Sequence, residues 1–264
     1  MRFKLIIEKF ERKDNDLLPI NYQYELASWI YKTIHYGNAE FADWLHKHGY
    51  MNDKKQFKLF TFSNLLINEI KLIKDRLQIK SNQAELIVSF YMDEAIEPFI
   101  IGIFQQQEFS LGDRISKVQF RVKSIEKMQE PEFREEMTFR TLSPVVISKL
   151  DETINSNAIY LSPEDENYSS FFIKNLLSKY VAILKSKPQQ GNLLNFVNND
   201  LRFELINKPK SKLIKIKTDT PQQTQVKGFL FDFKLSAPVE LMKLGYFAGF
   251  GEKNSLGFGC GEKN

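Results

Sequence analysis

Chemistry is densest in the stretch Gly249-Phe-Gly251-Glu-Lys-Asn-Ser-Leu-Gly257-Phe-Gly259-Cys-Gly261, which carries five glycines in thirteen positions. Glycine lets backbone reach φ > 0 and come close to another molecule. Free amides, with Lys253, Asn254 and Ser255 between the glycines, are a means of holding phosphates. No Gly-Lys-Ser/Thr is present, so this is not a nucleotide P-loop. A tight structural turn is the competing reading, and the glycine density favours a ligand.

A second feature is the run Asn207-Lys208-Pro-Lys210-Ser-Lys212-Leu-Ile-Lys215-Ile-Lys217, five lysines without an acid. On a strand of period two, Lys215 and Lys217 share a face opposite Ile214 and Ile216. Such a stripe contacts phosphates without regard to base sequence. Protection of an edge strand by lysine explains it equally well. The nearby Lys227-Gly-Phe-Leu-Phe-Asp-Phe233 has alternating phenylalanines that read as core.

The histidines are His35, His46 and His48. His46 and His48 fall on a short helix, where residues two apart diverge by about 200°, so they do not form a metal chelate. His48 continues the stripe Phe41, Trp44, Leu45 and is expected to pack. His46 lies off that stripe, free to exchange protons. His35, four residues after Tyr31, shares a helix face with it.

These groups need elements to position them. The chain has 264 residues, 42% hydrophobic, with 37 Lys+Arg against 33 Asp+Glu. That composition supports a real core and excludes wholesale disorder. The lone Cys260 excludes an internal disulfide and disfavours a cysteine zinc site. No apolar run approaches the ~18 residues of a spanning helix, and the first residues lack a signal-peptide pattern. The expectation is a soluble, cytoplasmic chain with no membrane partner.

Periodicity predicts a strand over 2–10, helices over 22–35 and 39–48, strands over 57–67 and 77–91, a helix over 94–107 and a strand over 115–127. Leu26, Ile30 and Ile34 mark the buried side of the first helix. The order is that of a ferredoxin-like βαββαβ unit. A strand over 137–148, a helix over 167–184, strands over 203–217 and 225–236, and a helix from Pro238 repeat it. The expected fold is α+β, with tandem ferredoxin-like (RRM-like) domains at 1–128 and 137–264 joined by a linker at 129–136. The duplication rests on element order, since the halves show no clear residue-level similarity.

Several stretches carry a family resemblance: Leu18-Pro-Ile-Asn-Tyr-Gln-Tyr24 through Trp29-Ile-Tyr31, Phe41-Ala-Asp-Trp-Leu-His46, Phe57-Lys-Leu-Phe-Thr-Phe-Ser63, Thr141-Leu-Ser-Pro144, and Gly245 through Gly259. On these the chain resembles the CRISPR repeat-processing endoribonucleases of the repeat-associated RNA-binding superfamily. The likeness spans essentially the whole chain, and the glycine-rich stretch is its most specific part. It implies two ferredoxin-like domains and a Tyr, His and Lys active site, which fall on Tyr31, His46 and Lys58. His35 rivals His46, and Lys54 or Lys55 could replace Lys58, because an insertion of variable length precedes it. In the family the last strand runs on for several residues, whereas Asn264 ends this sequence, so a short final strand is expected.

The chemistry suits those residue types. RNA carries its own nucleophile, the 2′-hydroxyl, so the expected cleavage needs no metal or other cofactor. It needs a base, an acid and a cation near the developing charge. An imidazole, with an ordinary pKa of about 6.5, serves as base or acid, and a lysine supplies charge. A phenol with a pKa near 10 is better suited to orientation or proton donation. The expected products are a 5′-hydroxyl and a 2′,3′-cyclic phosphate or 3′-phosphate. RNA contacts are assigned to Lys208, Lys210, Lys212, Lys215, Lys217, Gly249, Gly251, Lys253, Asn254, Ser255, Gly257 and Gly259. The expected partners are CRISPR repeat RNA, subunits of a CRISPR effector complex and a second copy of the chain. A non-cleaving RNA-binding subunit of such a complex is the alternative.

Overall fold

Phe3, Leu5 and Ile7 alternate inward along the strand Arg2–Lys9, which becomes a central strand of the first sheet in a computed structural model describing residues 1–10, 16–150, 158–187, 201–218 and 220–264. Lys117–Lys127 pairs with it on one side and Gln83–Phe90 on the other, both antiparallel. Phe60–Phe62 pairs with the outer side of Gln83–Phe90. This is the ferredoxin-like order, last-first-third-second. Glu108–Gly112, which was not expected from the sequence, extends the opposite edge.

Helices α1 (Gln23–Gly37) and α3 (Ile96–Gln105) pack together. A Cβ on Gly102 would lie 1.8 Å from the Thr33 carbonyl oxygen, so only glycine permits this crossing. The short helix α2 (Ala39–Lys47) follows α1 directly.

The second half repeats the plan. Glu136–Thr141 lies between Asp232–Ser236 and Gly261–Lys263, with Arg202–Leu205 outermost. Its helices are α4 (Tyr168–Ser186) and α5 (Val239–Ala248). The final strand is short, as expected, pairing through Thr141↔Gly261, Arg140↔Glu262 and Phe139↔Lys263. Phenylalanine fills this core: Phe250 lies 4.9 Å from Phe139 and 5.0 Å from Phe233, centroid to centroid.

Several expected strands divide: 57–67 yields Phe60–Phe62 and Leu66–Ile67, and 77–91 yields Arg76–Ile79 and Gln83–Phe90. The segment 203–217 breaks around Pro209, whose ring removes a ladder donor. Lys210–Ile216 then forms a separate hairpin with Thr224–Leu230. The segment 225–236 breaks at Phe231, whose amide donates to Thr141 Oγ1 at 2.9 Å. On α2, Ala42 and Leu45 form the buried face. Trp44 is 37% exposed and His48 is exposed, which corrects the expectation that His48 packs inward.

The halves join through Arg2, which is 1% exposed. Its guanidinium donates to the carbonyls of Tyr246 at 2.5 Å and Gly261 at 2.8 Å. It also lies 3.6 Å from the Tyr246 ring centroid. Among the described residues, no helix is long and apolar enough to cross a membrane.

Candidate active site

Asn38 sets the geometry of the first two site residues. Its amide donates to the Ile34 carbonyl at 2.8 Å, closing α1. Its side-chain oxygen accepts from the Phe41 amide at 2.9 Å, opening α2. One residue thus caps both helices, and the fixed corner brings Tyr31 of α1 against His46 of α2. The rings meet edge to face at 5.5 Å, and Phe60 contacts the Tyr31 ring at 5.4 Å. His35, exposed in the last turn of α1, is not among the rings that meet Tyr31 in the described residues.

The chain returns to this corner through the hairpin Tyr50–Asn52/Lys55–Phe57. Lys58 follows it, and its ammonium donates to the carbonyl oxygens of Leu45 and, at 2.7 Å, His46. These are unsatisfied carbonyls at the end of α2, where a cation is also favoured by the helix dipole. Partial burial lowers the Lys58 pKa to about 8. The next residue, Leu59, is buried at φ 54°, a strained conformation for a branched side chain. Of the alternatives, Lys55 lines the cleft beside Lys58, and Lys54 is exposed.

The glycine-rich stretch reaches the same place from the other half. Ser255 hydrogen-bonds the Tyr31 phenol oxygen; burial nevertheless dominates and pushes the Tyr31 pKa up to about 12. Thr61 Oγ1 donates to the Phe258 carbonyl at 2.9 Å, tying the loop to the first sheet. Gly257 (φ +86°) sits where a Cβ would be 2.6 Å from the Phe62 ring.

Part of the backbone expected to cradle phosphates is bonded within the protein. The amides of Gly249, Phe250, Glu252, Gly257 and Gly259 donate to protein carbonyls. Gly249, Gly251, Gly257 and Gly259 are buried. Asn254 Nδ2 donates to the Phe250 and Phe258 carbonyls, each at 3.0 Å. These glycines pack closely against the sheet, while Gly251, Lys253, Asn254 and Ser255 also line the cleft below. Lys253 alone keeps an exposed side chain between them.

Below the loop, Lys179 of α4 is 1% exposed and donates to the carbonyls of Gly249 at 2.5 Å and Gly251 at 2.7 Å. Desolvation lowers its pKa to about 7, against a smaller upward pull from Glu252. Loop and α4 wall a cleft of about 960 Å³. Its cationic lining is Lys55, Lys58, Lys149, Lys174, Lys179 and Lys253, and its one acid among the described residues is Glu252. The Glu252 carboxylate accepts from the Ser148 hydroxyl at 2.8 Å.

Lys149, Lys174 and Lys179 were not singled out from sequence, because isolated lysines on a strand and a helix resemble any solvated face. The spacing Phe171, Asn175, Lys179 along α4 was the available signal. Conversely, Lys208, Lys210, Lys212, Lys215 and Lys217 are exposed but do not line the cleft. Their hairpin buries Ile214 and Ile216 against Val146, Val226 and Phe258.

A family model described as CRISPR-associated protein Cas6, N-terminal, matches residues 17–126, and one described as CRISPR associated protein Cas6, C-terminal, matches 128–263. The CRISPR-associated endoribonuclease Cas6 1 of Methanocaldococcus jannaschii is 31% identical over 261 residues, covering 98% of this chain and 92% of that protein. The CRISPR-associated endoribonuclease Cas6 of Pyrococcus furiosus is 28% identical over 261 residues, covering 98% and 88%. Among solved structures, a Cas6-related gene product of Pyrococcus furiosus superposes with a TM-score of 0.80 at 27% identity, covering 100% of this chain and 98% of that one.

Proposed function

The chain belongs to the Cas6 family, and from that premise we propose that it is an endoribonuclease that cuts CRISPR repeat RNA by attack of the substrate's own 2′-hydroxyl, without a metal or other cofactor. The observation that carries this reading is the meeting of Tyr31, His46, Lys58 and Ser255 beside a lysine-lined cleft. His46 exchanges the proton, as base on the 2′-hydroxyl or acid on the 5′-oxygen. Tyr31, with its pKa raised to about 12, is protonated at neutral pH and orients or donates. Lys58 supplies positive charge as the phosphorane forms and holds the end of α2 that carries His46. The products are a 5′-hydroxyl and a 2′,3′-cyclic phosphate.

The test is cleavage of the repeat RNA of the chain's own host in excess EDTA, with a parallel substrate carrying a single 2′-deoxynucleotide at the cut. Cleavage that the deoxy substitution abolishes is expected. Binding without cleavage would move the chain to the reading of an RNA-holding subunit of a CRISPR effector complex.

A further inference from the structure

We propose that the cleft wall formed by α4 and the strand pair Ser148–Leu150/Ala158–Tyr160 receives one unstacked adenine of the RNA, and that Asn175 reads its edge. This rests on the endoribonuclease reading and extends it to base selection.

The starting observation is a polar group without a partner. Asn175 is 4% exposed, yet it lines the cleft, and its side-chain oxygen has no hydrogen-bond partner among the described residues. Proteins rarely leave a buried polar atom unpaired without a functional reason. A terminal carboxamide turns over at almost no cost in shape, so either its acceptor or its donor can face the cleft.

The surroundings suit a base rather than a simple anion. Phe171, one helical turn before Asn175, is half-buried and lines the same cleft. Leu150 and Ile159 line it from the strand pair, and they stay 70% and 39% exposed. Apolar side chains left open in a cleft provide stacking and packing surface for an unpaired base. Lys149 and Lys174 line the same cleft and are placed for flanking phosphates. A phosphate alone would need only the lysines. Gln56 and Asn254, the other carboxamides in the lining, already donate to the carbonyls of Lys47 and of Phe250 and Phe258, so an apolar wall with the Asn175 carboxamide set into it matches a heterocycle carrying a donor and an acceptor side by side. Adenine offers that pair in its exocyclic amine and adjacent ring nitrogen, the base edge that asparagine typically reads.

The experiment measures binding of the full chain to labelled short strands of oligoadenylate, oligouridylate and oligo(purine riboside) by fluorescence anisotropy. Purine riboside stacks much as adenosine does but lacks the exocyclic amine. The intact protein is expected to favour oligoadenylate over both by about tenfold. Asn175→Leu should abolish that preference while leaving salt-dependent affinity for all three. Equal binding of oligoadenylate and oligo(purine riboside) by the intact protein overturns the proposal whether or not any variant folds. Persistence of the preference in Asn175→Leu overturns it as well. If repeat RNA is cut but these preferences are absent, only the adenine site falls. If no strand binds and repeat RNA is neither bound nor cut, the endoribonuclease reading falls with it.

Discussion

The ammonium of Lys58 stands 2.7 Å from the carbonyl oxygen of His46 and donates to it, so one side chain both brings charge to the site and ties down the helix end that carries the imidazole. Lys58→Met should therefore lower cleavage through both effects. Its pKa of about 8 means that the charge is present below that pH and is lost as pH rises through it. Single-turnover cleavage by the wild type should fall above pH 8. A rate in Lys58→Met equal to wild type would remove Lys58 from the site.

His46→Ala should reduce the single-turnover rate by about 10²-fold or more, the scale of a lost general acid or base, with RNA affinity nearly unchanged. His35→Ala, at the exposed end of α1, should be silent. The reverse result would transfer the catalytic assignment to His35.

Tyr31→Phe keeps the ring against His46 and Phe60 and removes only the hydroxyl. It should slow cleavage without altering thermal stability by more than a few degrees. With a phenol pKa of about 12, no rising limb from tyrosinate should appear in the rate profile below pH 10. Ser255→Ala should produce a smaller loss of the same kind, and a null effect of both substitutions would reduce Tyr31 to packing.

Lys179 makes stability depend on pH. Its folded pKa of about 7 lies below the ordinary 10.5, so across that interval the unfolded chain holds a proton that the folded chain has released. Stability should then rise with pH from about 7 to 9, because the unfolded state binds more protons. The urea midpoint, measured across that range, should climb in the wild type and stay flatter in Lys179→Met. Equal slopes would mean that Lys179 stays charged in the fold.

Two lysine groups can be ranked by salt. Replacing Lys149 and Lys174 with Gln should weaken RNA binding and flatten the log–log salt slope by roughly 1 to 1.5, at about 0.7 per lost single-strand phosphate contact. The same change at Lys215 and Lys217 tests the exposed hairpin. An unchanged slope there would leave those lysines as protection of a strand edge.

Much of this was legible beforehand because it is local. Leu26, Ile30 and Ile34 recur at helical spacing and are all fully buried, and Phe3, Leu5 and Ile7 alternate as a strand should. Local pattern and final structure part where a competing contact changes the outcome. His48 continues an apolar-looking stripe, but α2 buries Ala42 beside Leu45 and leaves Trp44 and His48 exposed, since the corner at Asn38 sets its face. The strand expected over 225–236 stops where Phe231 bonds Thr141, a pairing that no local pattern announces.

The sequence by itself determined the family, the twice-repeated βαββαβ order and the residue types available for chemistry, because these rest on short-range periodicity and on motifs read in place. Only the tertiary structure decided that Tyr31 faces His46, that Lys58 caps α2, that Ser255 crosses from the far half to Tyr31, and that the loop glycines pack closely against the first half. These contacts join segments far apart in the chain, such as Thr61 and Phe258. They exist only once the helix crossings and the joined sheets fix which surfaces meet.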